Sequence, residues 1–220
     1  MNQPLHNELK KEFQLERMIL FSDAVFAIAI TLLAIEIKVP ELHDHIISEE
    51  NLLHSLGNMV PKFIGFLISF FIIGQYWTVH HRLFGFVVNF NLRLLWMNLF
   101  FLLAVVLMPF STAFYSEYVL YYLKTPFIFY IGNIIFLGIT NFLMWRYVGN
   151  PRLGFSEGLP KTVVNYFSFR AILVPIIFLF MAIFYFSIPR VGIWVPALIP
   201  LILWFVSRMY RKKLNAAIKK

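Results

Sequence analysis

The chain has 220 residues, of which 60% are hydrophobic and 14% are charged, and its formal net charge is +8. A soluble domain carries about 25% charged residues, so this composition excludes an ordinary soluble protein, and the apolar excess excludes a disordered one. Because a membrane span needs roughly 20 apolar residues, the length has room for about five to seven helices. The sequence has no cysteine, which excludes thiol chemistry and cysteine-ligated metal sites.

Apolar stretches follow one another along the chain and predict an all-α, polytopic membrane protein with six transmembrane helices in a single domain, residues 1–220. The stretches cover about residues 18–39, 59–79, 94–115, 121–145, 166–188 and 191–207. With the N-terminus in the cytoplasm, 15 lysines and arginines fall inside and 4 outside, which predicts that both termini are cytoplasmic. This bias accounts for the basic charge, so we expect no nucleic-acid partner. The first apolar run is too long for the core of a signal peptide, so no cleaved signal is predicted.

Polar residues outside the apolar stretches give no sign of a catalytic site. His80 and His81 are neighbours and point about 100° apart on a helix, so they do not predict a metal site. The sequence has no P-loop, no Gly-x-Ser-x-Gly elbow and no dinucleotide fingerprint, so we predict neither an enzyme nor a cofactor. We interpret the acidic loop after the first stretch as an ordinary solvated loop, although it could attract cations to an outer mouth. Its acidic residues are Glu41, Asp44, Glu49 and Glu50.

Asp23 lies about one and a half turns into the first stretch, where an ionisable group is costly and needs a partner. Because the second stretch runs inward and the third runs back outward, both bring polar residues to the depth of Asp23. One polar cluster is therefore predicted, and we interpret it as structural, with inter-helix bonds worth about 0.6 to 2 kcal/mol each. The alternative is a proton relay through Asp23 and a histidine. The cluster comprises Arg17, Ser22, Asp23, Trp77, His80, His81, Arg82 and Asn98.

A second face of the first stretch is apolar apart from one threonine. At about 100° per residue, Ile28, Thr31, Leu32 and Ile35 occupy a single arc of about 100°, and Asp23 lies about 140° from Ile28. From the pattern alone, the simplest interpretation of this stripe is plain core or a lipid-facing surface.

The residues around Asp23 form a longer motif. The pattern Arg17-x-x-x-Phe21-Ser22-Asp23 runs directly into Ala-Val-Phe-Ala-Ile-Ala-Ile-Thr-Leu-Leu at residues 24–33. This first helix resembles the signature helix of the endosomal and lysosomal potassium channel family and its bacterial homologues. The resemblance includes matching motif residues in the first three apolar stretches, whereas for the last three it rests mainly on the number of stretches. It extends through Trp77-x-x-His80-His81-Arg82, Asn98 and Pro-Phe-Ser-Thr at residues 109–112.

The resemblance implies a six-helix subunit whose first helix lines a central pore. Ile28 resembles the hydrophobic constriction of the family, Thr31 the polar ring linked to potassium preference, and Leu32 and Ile35 further apolar layers. Because the signature occurs once in this chain, four copies are expected around the axis, in closed cyclic symmetry. The residues that resemble the inter-helix network of the family are Arg17, Phe21, Ser22, Asp23, Trp77, His80 and Asn98.

The sequence therefore leads us to expect a potassium-preferring cation channel. It would be a homotetramer in the lipid of a bacterial cell membrane and would pass other monovalent cations more weakly. No Thr-Val-Gly-Tyr-Gly loop is present, so selection is expected at the Thr31 ring and the narrow apolar rings instead of a carbonyl filter. The alternatives are a secondary transporter or proton-coupled exchanger that uses Asp23 and His80, and a non-conducting scaffold.

Overall fold

Long apolar helices make up most of the structure, a computed structural model that describes residues 3–40, 48–187, 202 and 204–211. Within these residues there is no β-strand, only an isolated bridge between Val87 and Ser156. The helices are α1 (Gln3–Ile35), α2 (Glu49–Asn58), α3 (Val60–Phe84), α4 (Leu92–Tyr118), α5 (Lys124–Val148) and α6 (Lys161–Ser187).

Five helices in the described part of the chain are long and apolar enough to cross a membrane. The first five predicted stretches each overlap one of them, which confirms the prediction of an all-helical chain with membrane-length helices. The helices extend beyond the apolar stretches where polar residues supply caps: Asn91, for example, accepts a hydrogen bond from the Leu94 N–H at the start of α4. The sixth predicted stretch, residues 191–207, lies mostly outside the described residues. The membrane-length helices are Lys10–Ile35, Val60–Phe84, Leu92–Tyr121, Lys124–Val148 and Lys161–Ile183.

One face of α1 packs against α3 and α4. The buried side chains of α1 recur every three or four residues, which is the spacing of one face of an α-helix. Most are apolar and belong to the main hydrophobic core, so a single side of α1 is held by the rest of the chain. The buried residues of this face are Leu15, Met18, Ser22, Phe26, Ala29 and Leu33.

The helices α5 and α6 approach each other closely at a glycine. A Cβ atom on Gly138 would overlap the Pro175 ring and would meet the Ala171 carbonyl oxygen at 2.9 Å. Small residues permit this kind of close packing between membrane helices. Pro175 has no backbone N–H to donate within α6, and its ring faces the glycine.

The helix α2 is a feature that the sequence interpretation treated as part of a loop. Ser48 accepts a hydrogen bond from the Asn51 N–H, and Glu49 and Glu50 occupy the first turn, where the helix dipole favours acidic side chains. No residue of α2 is buried. These local signals are sufficient for a short helix on the surface. The other two acidic residues of the predicted loop, Glu41 and Asp44, lie outside the described residues.

The α3–α4 and α5–α6 connections lie side by side. The Val88 N–H donates to the Phe155 carbonyl at 2.9 Å, and the Glu157 N–H donates to the Phe86 carbonyl at 3.1 Å. Both connections were predicted on the same side of the membrane from their basic residues. Their backbone contact ties the ends of four helices together.

Candidate functional site

A buried asparagine joins α1, α3 and α4. The Asn98 amide donates to Ser22 Oγ at 2.9 Å, and its Oδ1 lies 2.8 Å from His80 Nε2. Because an amide oxygen only accepts, His80 Nε2 is the donor in the second bond. Ser22 Oγ in turn donates to the Met18 carbonyl at 2.8 Å. All three side chains are at most 1% exposed, so each helix is tied to the next in the interior.

The imidazole of His80 is held between aromatic rings. It stacks on Phe101 with ring centroids 5.4 Å apart and an interplanar angle of 4°, and its centroid lies 4.4 Å from that of Phe84. Phe26 of α1 approaches it at 5.5 Å. The rings fix the plane of the imidazole, and that plane directs Nε2 toward Asn98.

Asp23 has a separate partner on α3. The Trp77 indole N–H donates to Asp23 Oδ1 at 2.9 Å, and the Trp77 ring lies 5.6 Å from that of His81. This contact is less buried than the asparagine bond, since the Trp77 side chain is 39% exposed. A hydrogen bond to a carboxylate is stronger than one between neutral groups. It links α1 directly to α3, which Asn98 joins only through α4.

The remaining residues of the predicted cluster lie at its edge. The Arg17 guanidinium lies over the Phe13 ring at 5.8 Å, and that of Arg82 lies over the Phe167 ring at 5.3 Å. Their described contacts are therefore with aromatic neighbours. Phe21 points away from the bundle and is 53% exposed.

The predicted apolar stripe of α1 is exposed. Ile28 is 58% exposed, Leu32 39% and Ile35 68%, on the side of the helix that faces away from α3 and α4. Thr31 is exposed between them, and its hydroxyl donates to the Ile28 carbonyl at 2.9 Å. In a single copy, no residue that the structure describes covers this surface of α1.

Sequence reasoning missed two further polar groups. Thr112 Oγ1 lies 2.7 Å from Ser69 Oγ, which lies 3.1 Å from the Tyr130 hydroxyl, and these contacts join α3, α4 and α5. In the second group, the Arg170 guanidinium donates to Gln75 Oε1 at 2.6 Å and links α6 to α3. The available signal was an arginine four residues into the apolar stretch 166–188, where a charged side chain needs a partner. The described residues hold no group of three or more His, Asp and Glu side chains that could bind a metal ion.

The fold and the site define a class of protein: a polytopic helical membrane protein whose first helix is bonded to the bundle on one side and, among the described residues, exposed on the other. The family model described as Endosomal/lysosomal potassium channel TMEM175 matches residues 17–109 of the chain. These residues contain α1 from Arg17 onward, all of α3 and the whole asparagine network.

Similar proteins extend this match. A potassium channel of Chamaesiphon minutus is 34% identical over 141 residues, 64% of this chain and 68% of that protein. A potassium channel of Streptomyces collinus is 41% identical over 98 residues, 44% of this chain and 46% of that protein, so the chain spans about half the length of that relative. The crystal structure of a lysosomal potassium-selective channel TMEM175 homolog from Chamaesiphon minutus superposes with a TM-score of 0.70 at 29% identity and covers 89% of this chain and 97% of that one.

The chain belongs to the TMEM175 family. The proteins of this family are ion channels and not enzymes.

Proposed function

We propose that the chain is one subunit of a potassium-preferring cation channel in a bacterial cell membrane, with a pore lined by α1 from four copies. The observation that carries the proposal is the uncovered apolar stripe of α1, which lies on the side away from α3 and α4. One helix cannot enclose a pore, so the stripe needs identical neighbours around an axis. Two of the relatives are named potassium channels, which supports the ion that we propose.

The exposed face of α1 contains one series of positions that suits parallel copies of the same helix. Its members alternate in steps of four and three residues, which is the 3.5-residue period of helices that wind around a common axis. The seam consists of Arg17, Phe21, Ala24, Ile28, Thr31 and Ile35.

Thr31 is suited to meet a cation along this seam. Its single hydroxyl proton is already donated to the Ile28 carbonyl, so the oxygen lone pairs remain available as acceptors. Four such hydroxyls at one level form a polar ring between two apolar levels, Ile28 and Ile35. A potassium ion is less strongly hydrated than a sodium ion and loses water there at lower cost.

The orientation that we propose has both termini in the cytoplasm. The count of basic residues supports it. The α3–α4 and α5–α6 connections, which this orientation assigns to the same side, are bonded to each other through Val88 and Phe155. Asp23, Trp77, His80 and Asn98 then lie in the cytoplasmic half of the bundle, where they hold the inner part of α1.

Ion flux tests the proposal directly. The purified protein in liposomes should pass potassium passively and electrogenically under an imposed gradient, and its native mass should correspond to four chains of 25.9 kDa. Potassium flux that requires a counter-transported proton would contradict a channel and favour an exchanger that uses Asp23 and His80. A protein that folds and reconstitutes without any flux would be a scaffold.

Thr31→Val is expected to reduce the preference for potassium over sodium about three- to tenfold, the effect of losing a contact worth about 0.6 to 1.4 kcal/mol. Valine has the shape of threonine without the hydroxyl, so the width of the pore stays nearly constant. The measurement is the ratio of potassium to sodium flux in the same liposomes. Thr31→Ser is the matched control, because it keeps the hydroxyl and should keep most of the preference. Equal ratios for the valine variant and the wild type would remove Thr31 from selectivity.

A further inference from the structure

A partly open cavity lies at one end of the bundle, between the end of α1, the start of α3 and the end of α4. Its volume is about 110 Å³. A cavity of about 150 Å³ admits benzene, so this one has room for roughly four or five non-hydrogen atoms. Its polar lining consists of Glu36, Lys38, Lys62, Thr112, Ser116 and Glu117.

The cavity carries two positive and two negative side chains, and only two of the four are paired. Lys62 Nζ lies 2.6 Å from a Glu117 carboxylate oxygen, which joins α3 to α4. Glu36 and Lys38 pair neither with each other nor with any other described residue. Both are exposed, so a solute can reach them. The cavity therefore offers one carboxylate and one ammonium group to an occupant.

The buried wall of the cavity contributes a hydroxyl. Ser116 is 7% exposed and lines the cavity, and its side chain forms no hydrogen bond within the described part of the chain. It lies at a close contact of α4 with α3, where a Cβ atom on Gly65 would overlap Ser116 Oγ. A buried hydroxyl without a partner is costly. A polar occupant of the cavity would complete it.

The balance of charges indicates the kind of occupant. A metal ion would meet two lysines, and the described residues hold no group of three or more metal-binding side chains. A simple anion would meet two carboxylates. A zwitterion with a primary ammonium satisfies both signs, because its N–H groups donate to Glu36 and its anionic group accepts from Lys38. Such charge-assisted hydrogen bonds are stronger than neutral ones.

We propose that this cavity binds a small zwitterion with a primary ammonium and a phosphate or carboxylate, bonded to Glu36, Lys38 and Ser116. This chemistry has two sources, a free solute and the phosphoethanolamine headgroup of a lipid. The ends of membrane-length helices lie where headgroups and aqueous solution meet, so both sources reach the cavity. Binding here does not require ion conduction, so its test is independent of the flux experiment.

Competition among four small compounds tests the proposal in the purified, delipidated protein by calorimetric titration. Phosphoethanolamine should bind saturably, with its ethanolamine part, four non-hydrogen atoms, in the cavity and its phosphate at the opening. Ethanolamine and inorganic phosphate should each bind about tenfold more weakly, because each keeps one of the two charged contacts. Phosphocholine should also bind more weakly, since a quaternary ammonium has no N–H to donate. Ethanolamine or inorganic phosphate binding as tightly as phosphoethanolamine would overturn the proposal.

Charge-matched variants locate the binding. Glu36→Gln and Lys38→Gln should each raise the Kd of phosphoethanolamine about tenfold. The controls are Glu12→Gln and Lys10→Gln, which remove the same charges from exposed residues toward the other end of α1 and should leave the Kd unchanged. The same change in all four variants would reflect net charge alone and would contradict a site at Glu36 and Lys38.

A lipid comparison distinguishes the two sources. The thermal midpoint of the protein in detergent is measured with phosphatidylethanolamine, phosphatidylglycerol or phosphatidylcholine of the same acyl chains. A midpoint raised by phosphatidylethanolamine alone, and not raised in Glu36→Gln, without binding of free phosphoethanolamine assigns the site to a lipid headgroup. Binding of free phosphoethanolamine assigns it to a soluble zwitterion. If the free compound does not bind and the three lipids act alike, the proposal is wrong.

Discussion

Ile28→Asn is expected to increase the passive potassium flux on the order of tenfold, the change that about 1.4 kcal/mol off the barrier produces. In the proposed tetramer, four Ile28 side chains form an apolar constriction that resists wetting, and hydrophobic constrictions of this kind gate by dewetting. Asparagine is of similar size and brings an amide that holds water at this level. Flux into liposomes at equal protein density, measured with a potassium-sensitive dye, gives the comparison with the wild type.

The control for this variant is Ile139→Asn. Ile139 lies in the middle of α5 and is 41% exposed, so the same polar group is added to a membrane helix outside the proposed pore. Its flux should equal that of the wild type. The same flux from both variants, whether raised or unchanged, would mean that Ile28 is not at the constriction.

Asn98→Leu is expected to lower the stability of the protein by about 1 to 3 kcal/mol, because it removes the bonds to Ser22 and His80 and leaves a buried imidazole N–H without an acceptor. For a chain of this size, the loss corresponds to a thermal midpoint about 3 to 10 °C lower. The measurement is thermal unfolding of the purified variant in detergent.

A double-mutant cycle separates the hydrogen bond from the general effect of substitution. His80→Leu also breaks the bond to Asn98, so the variant with both leucines should lose less stability than the sum of the two single losses. The Phe101 and Phe84 rings that flank His80 contact the side chain in either case. Additive losses would show that the pair is not coupled and would remove the Asn98 bond as a link between α3 and α4.

The level of a residue along the bundle was readable from the sequence, whereas the direction in which most side chains point was not. Antiparallel neighbours with short connections bring their facing ends to the same level, which is why the predicted cluster contains the bonded residues Ser22, His80 and Asn98. The direction in which a side chain points depends on how the helices pack. Arg17 and Arg82 lie at suitable levels but contact the rings of aromatic neighbours.

The bond between Arg170 and Gln75 could not be predicted from the sequence for a related reason. Arg170 was visible as a basic residue of the fifth apolar stretch, but Gln75 belongs to the second stretch and has no distinctive spacing. The packing of α6 against the bundle determines which side chain Arg170 reaches. The helix α2 shows the opposite case, since its cap and its acidic first turn are local and were available in the sequence.

The bond between Ser22 and Asn98 joins two residues that the ribosome synthesises at different times. The two residues are 76 positions apart, so at about 5 to 20 residues per second the first helix leaves the ribosome roughly 4 to 15 s before its amide partner. Until Asn98 is made, the Ser22 hydroxyl still has a partner, because it donates to the Met18 carbonyl within its own helix. Asp23 gains its hydrogen bond only when the Trp77 indole is made, 54 residues later. A nascent chain that stalls between these points leaves Asp23 without its Trp77 partner.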